Sequence, residues 1–262
     1  MPDGRQQQRA AMNGEPTRST SDAAEISDGL RKGLLIGSAV LVLLLPPAVS
    51  HLPSGGRPAA TGPQLHAVAR AANFDSEQPS PDARHMANWI ATSGDNQGMS
   101  FVIVDKKAAK VYVFDPHSQL KAAAPALLGS AIGDDTAPGV GDKPLDDVLP
   151  EEKTTPAGRF VAEVGKDTRG EDVVWVDYDA AVSMHRVLKV PERLVALASP
   201  TKDDNRMSFG CINLPPEFYE NVLRPTVDRT GAVIYILPET RPLAATFASY
   251  HDVNAPVELA QP

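Results

Sequence analysis

At 262 residues, with 42% hydrophobic and 22% charged residues, the chain has the composition of a globular protein of one or two domains. The formal net charge is −8, and the five basic and five acidic residues among the first 50 cancel, so the excess acid lies beyond them; that argues against a nucleic-acid partner, which needs clustered Lys and Arg. A single cysteine, Cys211, excludes an intramolecular disulfide and a cysteine-based zinc site.

In chain order, residues 1–32 are polar and poor in aromatics and read as an unstructured N-terminal segment. Gly33 to Leu45 is an uncharged apolar run with Arg31-Lys32 before it and Pro46-Pro47 after it. As a helix it reaches only ~20 Å, short of the ~30 Å hydrocarbon core of a bilayer. Residues 33–50 are therefore expected to be a signal peptide, with Ala48-Val49-Ser50 offering small residues for cleavage, or else a single uncleaved membrane anchor with the body exported. Residues 51–80 are rich in Pro, Gly, Ala and Ser and read as a linker.

A helix is expected over Pro81 to Thr92, with Met86, Trp89 and Ile90 on one face. Short strands follow: Phe101–Val104 and Lys110–Phe114 as a hairpin, then Arg159–Val164, Val173–Asp177, Ala181–His185 and Ala232–Leu237. Helices are expected to begin near Pro191 and near Pro215-Pro216, where a missing N–H costs nothing. Gly133 to Glu152 is an acidic Gly/Pro-rich loop without EF-hand spacing, read as solvated rather than metal-binding. Residues 81–240 form the expected folded domain, mostly β with a few helices, and residues 241–262 a loosely held tail.

The chemistry gathers at Arg206-Met-Ser-Phe-Gly-Cys-Ile-Asn213, downstream of His185. A cysteine nucleophile needs a group to take or hold its proton, and a neutral imidazole does this well. His185 ends an expected strand. The other histidines fall in the linker (His51, His66), an amphipathic helix (His85), a turn (His117) and the tail (His251). Gly210 lets the backbone turn sharply, so that the N–H groups of Gly210 and Cys211 can face an oxyanion. The helix expected at Pro215-Pro216 would add its N-terminus to the stabilisation of a thiolate. Trp175 and Tyr112 read as core residues. The order, His before Cys, differs from that of papain-type peptidases.

Ser208-Phe-Gly-Cys-Ile-Asn213 behind a strand-borne His185 resembles the active-site signature of the L,D-transpeptidase catalytic-domain (YkuD-like) family, in which Ser/Thr-His-Gly-Cys is followed by a hydrophobic residue and Arg/Asn. Thr155-Pro-Ala-Gly-Arg-Phe160 resembles a second segment of the same fold. The resemblance spans roughly Met99 to Pro238. Phe209 stands where the family has its second histidine, and the loop from His185 to Ser208 is longer than usual. The resemblance implies an L,D-transpeptidase-like β-sandwich and a substrate drawn from the peptide stems of peptidoglycan, serving as donor and acceptor. It implies that Cys211 attacks the bond between the diamino acid and D-Ala, that His185 moves the proton with the Arg186 carbonyl orienting its ring, and that a thioester is resolved into a 3–3 cross-link. Ser208, Phe209 and Asn213 match motif positions and, with the flanking Arg186 and Arg206, are the expected substrate-binding residues. No cofactor or metal is implied, since the thioester conserves the energy of the amide. Water or a D-amino acid as acceptor, a protein amine, or a murein-binding protein without catalysis are the alternatives. An inert cytosolic globular protein is a further alternative, but it would have to ignore Gly33 to Leu45, which leads to the expectation of an exported, periplasmic body.

Overall fold

The computed structural model describes residues 70–253. The expected N-terminal segment and the signal peptide or anchor lie outside the described residues, as do most of the linker and the end of the tail. Among the described residues no helix is long and apolar enough to cross a membrane.

Two sheets pack face to face, giving a mostly β fold. The first has β1 (Ser100–Asp105), β2 (Lys110–Phe114), β3 (Leu120–Pro125), β5 (Gly158–Val161) and β11 (Ala232–Ile236), in the order β3-β2-β1-β11-β5. The second has β6 (Glu163–Lys166), β7 (Asp172–Asp177), β8 (Val182–Arg186) and β10 (Ile212–Leu214), in the order β10-β8-β7-β6. A short parallel pair, β4 (Leu128–Gly129) and β9 (Arg206–Ser208), stands apart. The sequence reading of Arg159–Val164 as one strand is corrected: the run divides at Ala162, giving β5 to the first sheet and β6 to the second.

Alternation along the strands assigns each face. Val102, Val104, Val111, Val113, Ile234 and Ile236 of the first sheet meet Val174, Val182, Met184, Ile212 and Leu214 of the second in the central core. The opposite face of the first sheet, with Phe101, Ile103, Tyr112, Phe114, Val233 and Tyr235, packs under helix α1 (Pro81–Ser93). That is why β1 is buried along its whole length and reads as a continuous apolar run. Helix α1 starts as its sequence demands. The Ser80 side chain accepts from the Ala83 N–H, proline occupies the first turn, and Gly94 closes the helix in the left-handed region at φ 68°.

Both ends of the expected domain extend further than their composition suggests. Ala72 and Phe74, within the span read as linker, are buried, and Phe74 meets Tyr112 and Phe114 edge to face. In the span read as tail, a short helix (Leu243–Thr246) and Phe247 join the same cluster. Helix α2 (Pro191–Ala198) contributes Ala196 and Leu197 to a small cluster with Leu127 and Val187. Beyond β10 the chain runs through helical turns at Pro216–Phe218 and Arg224–Thr230, joined by a π-helical turn at Tyr219–Leu223. Pro225 is the second residue after the wide turn; it lacks the N–H that would bond residue 221.

Candidate active site

β8 and β10 pair in parallel with Asn213 opposite His185. In β8, Met184 enters the core, so Ser183 and His185 emerge on the outer face. In β10, Ile212 and Leu214 enter the core, so Asn213 emerges beside His185. A one-residue slip would turn Met184, Ile212 and Leu214 outward, at about 2 kcal/mol each. The core thereby fixes which polar side chains meet.

The His185 Nδ1 lies 2.7 Å from the Arg186 carbonyl oxygen. A carbonyl only accepts, so Nδ1 carries the hydrogen and Nε2 keeps its lone pair for the thiol side. The Asn213 amide is held in one orientation. Arg193 Nη1 of α2 donates to its Oδ1 at 2.7 Å, which turns Nδ2 toward His185 Nε2 at 3.4 Å and the Cys211 carbonyl oxygen at 3.2 Å. Asn213 is 1% exposed, so it acts from behind the site rather than at its mouth.

Cys211 is partly exposed, with Sγ 3.8 Å from Ser183 Oγ and 3.6 Å from the Ala181 carbonyl oxygen. Burial alone would push the thiol up. The hydrogen bond and charge of His185 outweigh it, and with the backbone and hydroxyl of Ser183 bring the thiol down to about 7. Burial likewise opposes a charged His185, but the Cys211 thiolate and the Arg186 carbonyl prevail and raise it. The lowered thiol and the raised imidazole both favour a thiolate–imidazolium pair.

Ser208 shapes the loop that carries the thiol. Its Oγ accepts from the Gly210 N–H at 3.1 Å and its hydroxyl donates to the Cys211 carbonyl at 2.6 Å. The expectation that both Gly210 and Cys211 donate to an oxyanion is thus narrowed. The Gly210 N–H is engaged inside the loop, and no hydrogen bond to the Cys211 N–H occurs among the described residues. The helix expected to abut the nucleophile is displaced as well. The strand Ile212–Leu214 intervenes, and the five residues from Cys211 to Pro216 carry the helical turn ~16 Å along the chain.

Thr155, from the second segment quoted in the sequence, backs the loop. It is fully buried, donates to the Gly210 carbonyl at 2.8 Å and accepts from the Gly129 N–H at 2.9 Å. Gly210 has φ 125°, and a Cβ there would lie 2.7 Å from the Thr154 carbonyl oxygen. Gly210→Ala is accordingly expected to cost about 1–3 kcal/mol and to displace Cys211. A lower melting temperature together with slower thiol alkylation at pH 7 is the result to look for; retention of both would mean that the loop relaxes freely.

The remaining expected site residues have partners inside the fold. Arg206 pairs with Glu239 and donates to the Lys106 carbonyl at 3.0 Å. Arg186 bonds Asp172 at 3.0 Å and Glu220 at 2.8 Å and lies over the Tyr219 ring. Ser208 is buried, whereas Phe209 is 39% exposed, with Lys153 Nζ 4.1 Å from its ring centroid. A cleft lined by Arg169, Glu171, Asp172, Val187 and Lys189 opens beside His185. Ser183, Arg193 and Lys153 are the contributors that sequence reading missed. Only Ser183, two residues before His185 on a strand, left a signal there, namely its place on the same face. Among the described residues no group of three or more His, Cys, Asp or Glu side chains is placed to hold a metal ion.

Fold and site together define a β-sandwich whose second sheet presents a paired cysteine and histidine. No family model matches the chain, and no curated protein does so either. Among solved structures it is similar to an L,D-transpeptidase from Enterococcus faecium, at 16% identity over 53% of this chain and 50% of that one, with a TM-score of 0.34. It is also similar to an L,D-transpeptidase from Mycobacterium smegmatis, at 18% identity over 53% of this chain and 58% of that one, TM-score 0.30. A third is the helical cell shape determining protein of Campylobacter jejuni, at 15% identity over 62% of this chain and 58% of that one, TM-score 0.36. The chain spans 50–58% of the length of these proteins.

Proposed function

We propose that the chain is an exported cysteine acyltransferase acting on the peptide stems of peptidoglycan, an L,D-transpeptidase. The observation that carries this reading is the strand register that sets Cys211 beside His185, an imidazole whose tautomer the Arg186 carbonyl fixes and whose charge lowers the thiol. The sequence motif around Cys211 supplies the substrate class. His185 takes the thiol proton through Nε2, and the Cys211 sulfur attacks the carbonyl of the diamino acid–D-Ala bond. The Cys211 N–H holds the oxyanion; one such donor is typically worth ~3 kcal/mol. The imidazolium returns its proton to the nitrogen of the departing D-Ala, leaving a thioester on Cys211. An amine of a second stem then attacks the thioester, loses a proton to His185 and releases the thiol, giving a 3–3 cross-link. No redox step occurs and no external energy source is consumed.

The test is to incubate the full chain, and the Cys211→Ala variant beside it, with a disaccharide-tetrapeptide and to follow products by mass spectrometry. D-Ala release with a Cys211-dependent dimer is the expected result. Release without dimer would assign water as acceptor and make the protein an L,D-carboxypeptidase. Incorporation of an added free D-amino acid would assign exchange. No release and no acyl adduct from folded protein would overturn the acyltransferase and favour a murein-binding role.

A further inference from the structure

The lysine and arginine side chains around the nucleophile segment are almost all occupied. Lys106 is fully buried, donating to Asp134 and to the carbonyls of Gly133 and Thr155. Arg206 is held by Glu239, and Arg193 by Asn213 and the Met207 carbonyl. Lys153 differs. It sits beside Glu152 in an acidic stretch, yet Glu152 pairs with Lys143. Among the described residues the Lys153 ammonium has no carboxylate partner, and it rests over the ring of Phe209.

The backbone holds this pair in place. The Lys153 carbonyl accepts from the Ala131 N–H at 3.1 Å, and Thr155, two residues on, hydrogen-bonds the Gly210 carbonyl. Phe209 is two residues before the nucleophile and is exposed. A cation over an aromatic face keeps several N–H donors free for an anion, whereas a salt bridge would neutralise it. Phe209 offers the ammonium an uncharged ring face at any pH, whereas a histidine there would turn cationic as pH falls below about 6.5.

We propose that Lys153, held on Phe209, is a subsite for a carboxylate of the stem peptide at the mouth of the Cys211 site. The inference rests on the acyltransferase reading and adds a specificity determinant to it. Two carboxylates of a tetrapeptide donor share this chemistry, that of the terminal D-Ala and that of the diamino acid side chain. The subsite would position whichever one it holds; it takes no part in bond making.

The experiment measures binding of synthetic tetrapeptides to the full chain carrying Cys211→Ala, which cannot turn over, by calorimetry. Three peptides are used: the free acid, its C-terminal carboxamide, and one with lysine replacing the diamino acid so that the side-chain carboxylate is absent. Adding Lys153→Met should weaken binding of the free acid about 10-fold, the scale of a charge-assisted hydrogen bond. The effect should vanish for the one analogue that lacks the recognised carboxylate, which identifies it. Lys153→Arg should retain affinity, and Phe209→Leu should lose part of it. Equal affinities with and without Lys153, for all three peptides, would overturn the subsite, as would absence of binding. Turnover by the chain with Cys211 intact separates the two readings. If it releases D-Ala with a KM that Lys153→Met leaves unchanged, only the subsite falls; if it releases none, the acyltransferase falls.

Discussion

His185→Gln is expected to move the midpoint of Cys211 alkylation from pH about 7 to above 8.5 and to lower D-Ala release by about 10²- to 10⁴-fold. The sign follows from the contributions at the thiol. Burial opposes the thiolate, and the imidazolium is the main group that overcomes it. Without it, burial and an ordinary thiol pKa act together, and the thiolate fraction at pH 7 drops from near one half to a few per cent. Glutamine keeps an uncharged polar side chain of similar length, so a folding defect is not expected even though the Nδ1–H donor to the Arg186 carbonyl is lost. Iodoacetamide kinetics across pH 5–10 reads the shift. Coincident profiles for wild type and variant would remove His185 from its role.

Asp134→Ala is the second large effect, this time on stability. Lys106 and Asp134 are both fully buried and 2.8 Å apart. Burial disfavours the Asp134 carboxylate. Lys106, the Thr240 hydroxyl and the N–H groups of Glu239 and Thr240 more than compensate, and hold it well below the usual carboxylate range. Removing it leaves a buried ammonium beside Glu239, which Arg206 already shares. Breaking such a pair typically costs 3–5 kcal/mol, or about 10 °C in melting temperature for a domain of this size. Because Asp134 is depressed in the fold, its contribution is fully present above its unfolded pKa of ~3.9 and is lost as pH falls below that toward the folded value. Wild-type stability should therefore decline below about pH 4, and the variant should decline less steeply there. Thermal melts from pH 2 to 7 test both points. A variant within about 1 kcal/mol of wild type would show that water or Glu239 compensates. The Thr155 carbonyl also rests on Lys106 and its hydroxyl on Gly210, so the variant should lose thiol reactivity as well.

Cys211 and His185 were legible in the sequence because their signal is local: a glycine before a lone thiol, and a histidine closing an apolar strand. The main strands were legible for the same reason, as Val-rich runs bounded by turns. What failed to show was set by contacts between distant segments. β9 and β10 are three residues each, too short for alternation to register, and they exist because β4 and β8 pair with them. Asn213 read as a substrate contact because nothing local says that Arg193, twenty residues earlier, holds its amide. Lys106, next to Lys107 at the end of a strand, looks like a solvated turn residue, and only the fold closes Asp134 and Glu239 over it. Arg206 misled for the same reason, its carboxylate partner lying 33 residues away in sequence.

The parallel register of β8 against β10 has a consequence for the timing of reactivity. Until those strands pair, Cys211 is an ordinary thiol, only a few per cent ionised at neutral pH. His185 and Asn213 reach it through the same alignment that buries Met184, Ile212 and Leu214. The lowered pKa of the Cys211 thiol is therefore a product of the closing of the sandwich itself. A partly unfolded chain carries a thiol of ordinary acidity, and the finished fold carries one lowered to about 7.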